Sequence, residues 1–288
     1  MATRRVLVTG SSTGIGRATA KALADRGWWV YAAVRKGKDA DSLRADLGAS
    51  GAPILLDVTN QASIDAAAAE IGGPLHAVVN NAGIAVGAPL EFLPLDDFRQ
   101  QLEVNVTGQL AVTQAFLPRL RETRGRLLFV GSIGGRIAGP LIGAYHASKF
   151  ALAGMTDTLR AELRPFGVQV VLIEPGTIAT SIWGTAVGAG RALYERMPAE
   201  AQRYYGAALE AVMSTSEERG SKGLAPAAAA KVLVRVLETA RPRPRYLIGR
   251  DARMASVLPY LPASLRAWLV AQQMQAGPAD SEPAAAPA

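Results

Sequence analysis

Arg5-Val6-Leu7-Val8-Thr9-Gly10-Ser11-Ser12-Thr13-Gly14-Ile15-Gly16 runs from a short apolar stretch through a glycine turn into a helical pattern. Val6–Val8 reads as a strand buried on both faces, and the Ala- and Leu-rich Ile15–Asp25 reads as the helix that follows. Glycines let a backbone come close to a ligand, while the free N–H groups and dipole at a helix start favour an anion. Strand, turn and helix together predict an α/β fold with an anion site at the strand's carboxyl end. A tight turn with no ligand would look the same locally, so the rest of the chain has to decide.

Working outward, Trp29–Val34, Ile54–Leu56, Ala77–Val79, Leu127–Val130 and Val168–Ile173 are further strand-length runs. Ser63–Ile71, Phe98–Leu120 and Tyr145–Leu163 carry helical patterns between them. Such alternation predicts one doubly wound parallel sheet with helices on both faces, occupying 1–275. The stretch 181–225 breaks the rhythm. It has no strand-like run, carries Trp183, Tyr194, Met197, Tyr204, Tyr205 and Met213, and leaves from the carboxyl end of the sixth strand. A helical lid over the ligand is expected there, Trp183 facing the substrate and Gly184, Gly188 and Gly190 giving hinge freedom. The Pro- and Ala-rich 276–288 is expected to be a disordered tail.

Composition removes several kinds of chemistry. Without cysteine there is no disulfide, thiolate nucleophile or cysteine metal site, and with only His76 and His146 no metal centre is expected. The net charge of +7 could suit a polyanion, but the basic residues are scattered, so no nucleic-acid partner is expected. The opening MATRRVLVTG has no signal-peptide h-region, and no window is apolar enough to cross a bilayer. A cytoplasmic protein is the expectation.

Further motifs follow the strands in order. Asn80-Asn81-Ala82-Gly83 comes after the fourth run and Asn105-Val106-Thr107-Gly108 lies within a helical stretch. Ser132 follows the fifth run, thirteen residues before Tyr145, and Pro175-Gly176-Thr177-Ile178-Ala179-Thr180 follows the sixth. Tyr145 and Lys149, four apart in a helical pattern, share one face. A phenol titrates at ~10, and a neighbouring ammonium together with a positively charged ligand ring would favour its phenolate and lower that value.

With T-G-x-x-x-G-I-G at the start, this set resembles the short-chain dehydrogenase/reductase family from about Arg5 to Thr180. His76 departs from the aspartate often found there, at a position that is not catalytic. The resemblance implies a Rossmann-type domain and a catalytic group of Asn105, Ser132, Tyr145 and Lys149. Tyr145 would exchange the proton, with an oxidised nicotinamide as the positively charged ring. Ser132 would orient the substrate oxygen, and Lys149 would also hold the nicotinamide ribose. Asn105 would hold a water continuing a proton relay to solvent. The resemblance places the cofactor on Gly10, Ser12, Thr13, Gly14, Ile15 and Gly16, with Asp57 and Val58 at the adenine. Asn81, Ala82, Gly83, Tyr145, Lys149, Pro175, Gly176, Ile178 and Thr180 complete that set.

In relatives that prefer NAD, an acidic residue ends the second strand and bonds the ribose 2′-hydroxyl. Here Val34 stands at that position and Arg35 follows. A guanidinium can bond a 2′-phosphate bidentately where a carboxylate would repel it, so NADP(H) is expected. Arg35 as a solvated loop residue is the plainer alternative.

His146 points about 100° away from Tyr145 on a helix and is expected to be structural or at the rim. Ser132 lacks the G-x-S-x-G elbow of a hydrolase nucleophile. Gly131–Gly135, Tyr145–Leu152, Arg243–Gly249 and Leu261–Leu265 look closer to the hydroxysteroid and retinol dehydrogenase branch. The expected activity is hydride transfer between NADP(H) and a bulky apolar ketone or alcohol, such as a steroid-, retinoid- or aryl-ketone-like molecule. A non-catalytic NADP(H)-sensing regulator is the alternative from another class, and a nucleotide-sugar epimerase is a third. The helix near Trp268 has one charge, Arg266, too few for a basic membrane-surface face. By analogy with relatives, a homodimer or homotetramer is expected.

Overall fold

The computed structural model describes residues 3–275, so the tail expected at 276–288 lies outside the described residues. Its strands are β1 Arg5–Val8, β2 Trp29–Val34, β3 Gly51–Leu55, β4 Ala77–Asn80, β5 Arg126–Val130, β6 Gln169–Pro175 and β7 Arg245–Ile248. They form one sheet in the order β3-β2-β1-β4-β5-β6-β7, every pairing parallel. The central strands are apolar throughout because both faces are covered: Val6–Val8 and Ala77–Val79 are fully buried.

The helices are α1 Gly14–Ala24, α2 Gly37–Leu47, α3 Gln61–Glu70, α4 Leu95–Leu102, α5 Gly108–Thr123, α6 Gly143–Leu163, α7 Ser181–Glu195, α8 Ala199–Lys222, α9 Pro226–Glu238, α10 Arg250–Ala255 and α11 Ala263–Gln275. Side chains of α1, α2 and α9 join one core layer on the sheet, and those of α3, α5 and α6 join the other. A third, smaller cluster lies off the sheet. There Val187, Leu193, Leu209 and Met213 of α7 and α8 meet Ala88, Leu93 and Leu141.

Several expectations need adjusting. The third strand is Gly51–Leu55 rather than 54–56. The single helix expected over Phe98–Leu120 is α4 and α5 joined by a π-helical turn, Glu103–Thr107. Four elements were not expected from the sequence: β7, α2, α9 and α10. The edge strand β7 buries only Ile248 fully, and the charged α2 buries only Ala40, Leu43 and Leu47. The region 181–225 is helical as expected, but Gly184, Gly188 and Gly190 all lie inside α7.

The strand order reverses direction between β1 and β4. Ligands of open α/β sheets sit at such a switch point, outside the carboxyl ends of the strands. The loops after these two strands carry the glycine turn and Asn81–Gly83.

Candidate active site

The glycine turn is closed by side chains from the loop after β4. Thr9 Oγ1 accepts from Asn81 N at 2.9 Å and Ala82 N at 3.0 Å, and Asn81 Nδ2 donates to the carbonyls of Thr9 and Gly10. Gly10 and Gly14 have φ of +64° and +59°, which side chains other than glycine adopt at a cost. Gly16 is needed for space: a Cβ there would stand 2.3 Å from Gly10 O.

Thr13, at the N-cap of α1, makes no capping bond. Its hydroxyl is paired instead with Ser181 Oγ at 2.8 Å. The first N–H groups of α1, at Gly14, Ile15 and Gly16, therefore lack both an intrahelical acceptor and a side-chain cap. That leaves donors and a helix dipole for a pyrophosphate, so the residues present fit a dinucleotide.

A cleft of about 580 Å³ opens here. The glycine turn, Arg35, Asn81–Gly83, Ser132, Tyr145, Lys149, Pro175, Gly176, Ile178 and Thr180 line it, as do Ile182, Trp183 and Leu193 of α7. Four expected site residues do not. Gly16 lies behind the turn. Asp57 turns Oδ1 to Thr59 N and Oγ1, at 3.0 and 2.8 Å. Val58 is buried under Gly108.

Asn105 is the fourth. It is fully buried on the π-helical turn, a local geometry found often at functional sites. Its Oδ1 accepts from Ile84 N at 2.8 Å, while Nδ2 donates to Ile84 O and Ser148 Oγ, both at 3.0 Å. The side-chain carboxamide is spent on protein partners and so positions the loop and α6.

Asn105 belongs to a buried polar row that the sequence reading did not single out. Gln101, Asn105, Gln109 and Thr113 recur every fourth residue, each fully buried. Gln101 bonds Val86 N and Ile84 O, and Gln109 Nε2 donates to Ala82 O, each at 2.8 Å. Together they hold the backbone of 82–86 along the cleft wall. Polar residues at helical spacing among apolar ones were the available signal.

On α6, Lys149 is buried and donates from Nζ to Val130 O at 3.0 Å, with Nζ 5.6 Å from the centre of the Tyr145 ring. Burial pushes the Lys149 ammonium down to about 8. Burial also pushes the Tyr145 phenol above its ordinary value, and a hydrogen bond with Ser132 only partly offsets this. Desolvation of the phenolate outweighs this partner in the protein alone; the lowering expected from the sequence includes the positive charge of an oxidised nicotinamide. His146 is buried rather than at the rim, and Arg5 N donates to His76 Nδ1 at 3.1 Å.

The short chain dehydrogenase family model matches residues 4–188. The chain belongs to the short-chain dehydrogenase/reductase family. It is 36% identical to a 3-amino-tetrahydro-pyrrolizinone reductase of Xenorhabdus hominickii, over 88% of this chain and 89% of that one. It is 35% identical to human short-chain dehydrogenase/reductase family 9C member 7, over 96% and 91%. A Burkholderia cenocepacia short chain dehydrogenase solved with NADP matches with a TM-score of 0.71 and 28% identity, covering 94% of this chain and 97% of that one. A Burkholderia phymatum structure of similar fold was solved with NAD, so the family alone does not choose the nicotinamide. Among the described residues no helix is long and apolar enough to cross a membrane.

Proposed function

We propose that this oxidoreductase is an NADP(H)-dependent carbonyl reductase and alcohol dehydrogenase acting on bulky apolar substrates. The observation that carries the reading is one cleft lined by the glycine turn, Arg35, Ser132, Tyr145 and Lys149. The nicotinamide, when bound, supplies or accepts the hydride. Tyr145 gives its phenolic proton to the carbonyl oxygen in reduction and takes it back in oxidation. A phenol is protonated near neutrality, so Tyr145 holds the proton that the reductive direction needs. Ser132 Oγ already accepts from Gly134 N at 3.0 Å, so its hydroxyl, which bonds Tyr145, can turn its proton to the substrate oxygen. Lys149, charged below about pH 8, stabilises the phenolate left after proton transfer.

The choice of NADP(H) is supported by the buried Val34 where an acid would stand, and by the exposed Arg35 on the cleft wall. Apolar substrates are supported by Val86, Ile182, Trp183 and Leu193 along the cleft. In this reading residues 1–275 act as one domain, with 181–225 as its lid. The protein works as a cytoplasmic homo-oligomer.

NADPH consumption over a panel of steroid, retinoid, aryl and aliphatic ketones tests the reading. Turnover is expected with a bulky ketone. In Tyr145→Phe that rate should fall about 10²–10⁴-fold, with NADPH affinity unchanged in a fluorescence titration. NADPH binding with no turnover across the panel would support a cofactor sensor instead. A Phe variant of full activity would remove Tyr145 from the mechanism.

A further inference from the structure

His146 follows Tyr145 on α6 and is 7% exposed. Both of its ring nitrogens are used. Gly139 N donates to Nε2 at 2.9 Å, so Nε2 carries no proton. The proton is then on Nδ1, which donates to Gly134 O at 2.9 Å. Burial lowers the affinity of this imidazole for a second proton, in keeping with a neutral ring. The same residue, Gly134, reaches the reacting serine through its other peptide group, because Gly134 N donates to Ser132 Oγ at 3.0 Å. One unbroken row of donors and acceptors therefore runs from Gly139 through the imidazole and Gly134 to the Ser132 hydroxyl.

The packing leaves little room for another arrangement. A Cβ on Gly134 would come to 3.0 Å from His146 Nδ1 and 3.3 Å from Tyr145 Cε1. The Tyr145 and His146 rings meet edge to face, their centres 6.1 Å apart. The far side of the loop is anchored separately, since Arg136 Nε donates to Glu174 Oε1 at 2.7 Å. His146 thus ties the Ser132 loop to α6 at the position beside Tyr145.

We propose that His146 is a positioning residue: as the neutral Nδ1–H tautomer it holds Gly134 so that the Ser132 hydroxyl stays in register with the Tyr145 phenol. This rests on the reading that Ser132 and Tyr145 act on the substrate oxygen. Accepting from Gly134 N turns the Ser132 proton outward. Releasing Gly134 lets the serine rotate away from the substrate while the cofactor's own contacts remain. Displacements of about 1 Å at a reacting group can cost on the order of 10²-fold in rate.

The test is a mutant cycle between His146→Phe and Ser132→Ala, with His146→Gln as a conservative control. Phe keeps a ring but neither hydrogen bond, whereas the Gln carboxamide can donate and accept. In the otherwise intact enzyme, His146→Phe should lower kcat about tenfold or more with the NADPH Kd within about twofold. His146→Gln should recover most of that loss. In the Ser132→Ala background His146→Phe should cost less than about twofold, because two residues acting as one unit are not additive. Equal costs in both backgrounds, or a parallel loss of NADPH binding and melting temperature that Gln does not rescue, would make His146 a packing residue and overturn the proposal. A Ser132→Ala enzyme of full activity would instead overturn the reading of the site itself.

Discussion

A methyl group added at Gly16, behind the glycine turn, would stand 2.3 Å from a backbone oxygen; added at Gly188, in α7, it would meet nothing within 4 Å. Neither glycine lines the cleft, but the turn that holds Gly16 and the helix that holds Gly188 both do. Around Gly16 the chain is fixed by backbone: two glycines at positive φ, Thr9 and Asn81 bonding across, and strands buried on both faces. Around Gly188 the wall is a pair of helices resting on a small apolar cluster outside the sheet. The first side accepts one geometry. The second needs only apolar surface of about the right size, which many sequences provide.

Gly16→Ala would test the rigid side most severely. The new methyl presses on Gly10 O and on Asn81 Nδ2, 2.5 Å away, so the turn must shift. Overpacking of this kind costs ~1–3 kcal/mol, and NADPH affinity should fall on the order of tenfold to hundredfold. A titration showing unchanged affinity would mean that the turn is far softer than its contacts suggest.

Arg35→Asp comes next in size. It sets a carboxylate where the proposed 2′-phosphate partner stands, and a charge-assisted hydrogen bond contributes roughly 1.5–3 kcal/mol. The ratio of kcat/KM for NADPH over NADH should drop about tenfold or more. An unchanged ratio would return Arg35 to the solvated surface.

Trp183→Phe examines the junction of the two sides. Trp183 lines the cleft, yet its Nε1 donates to Ile178 O at 2.7 Å and its side chain packs on Gly220 of α8. It therefore both borders the substrate region and pins α7 to the segment after β6. Losing the donor should lower stability by about 0.5–1.5 kcal/mol, read by denaturant melts, and weaken NADPH modestly through Ile178. A changed ranking of bulky over small ketones with no loss of stability would make Trp183 a pocket residue only.

This contrast also explains what could be read from the sequence. The glycine turn, Asn81, Ser132, Tyr145 and the Pro175–Gly176 segment were legible because a fixed backbone leaves few residue types possible at fixed spacings. The strands β1, β2, β4, β5 and β6 were legible because double burial demands apolar runs. β7 was not, since an edge strand flanked by arginines and prolines is only half covered. Nor was α2, whose three buried residues give little periodicity. The work of Gln101, Gln109 and His146 depends on which backbone groups lie opposite them across the fold, and no local pattern records that. The burial that raises the Tyr145 phenol was hidden for a related reason: it comes from the whole site, while only the lysine four residues away is visible in the chain.

Gly188→Ala should have the smallest effect, and it bears on how the adaptable side moves. Gly188 is exposed within α7, its neighbours are helical on both sides, and there is open space for a methyl. Alanine in a helix interior is more stable than glycine by about 0.5–1 kcal/mol, because glycine loses more backbone freedom on folding. If α7 closes over the cleft as a rigid helix, the variant should melt slightly higher and keep kcat and KM for a bulky ketone. The hinge reading of Gly184, Gly188 and Gly190 requires the opposite: α7 would have to bend at these positions in each cycle, and alanine would stiffen the bend. Gly190 is a less clean probe, since a methyl there would come within 3.3 Å of Gly87 O. A several-fold loss of kcat in Gly188→Ala, with stability raised, would therefore place the moving joint inside α7. Unchanged kinetics would move it to the ends of the helix, where Thr180 and Arg196 flank it.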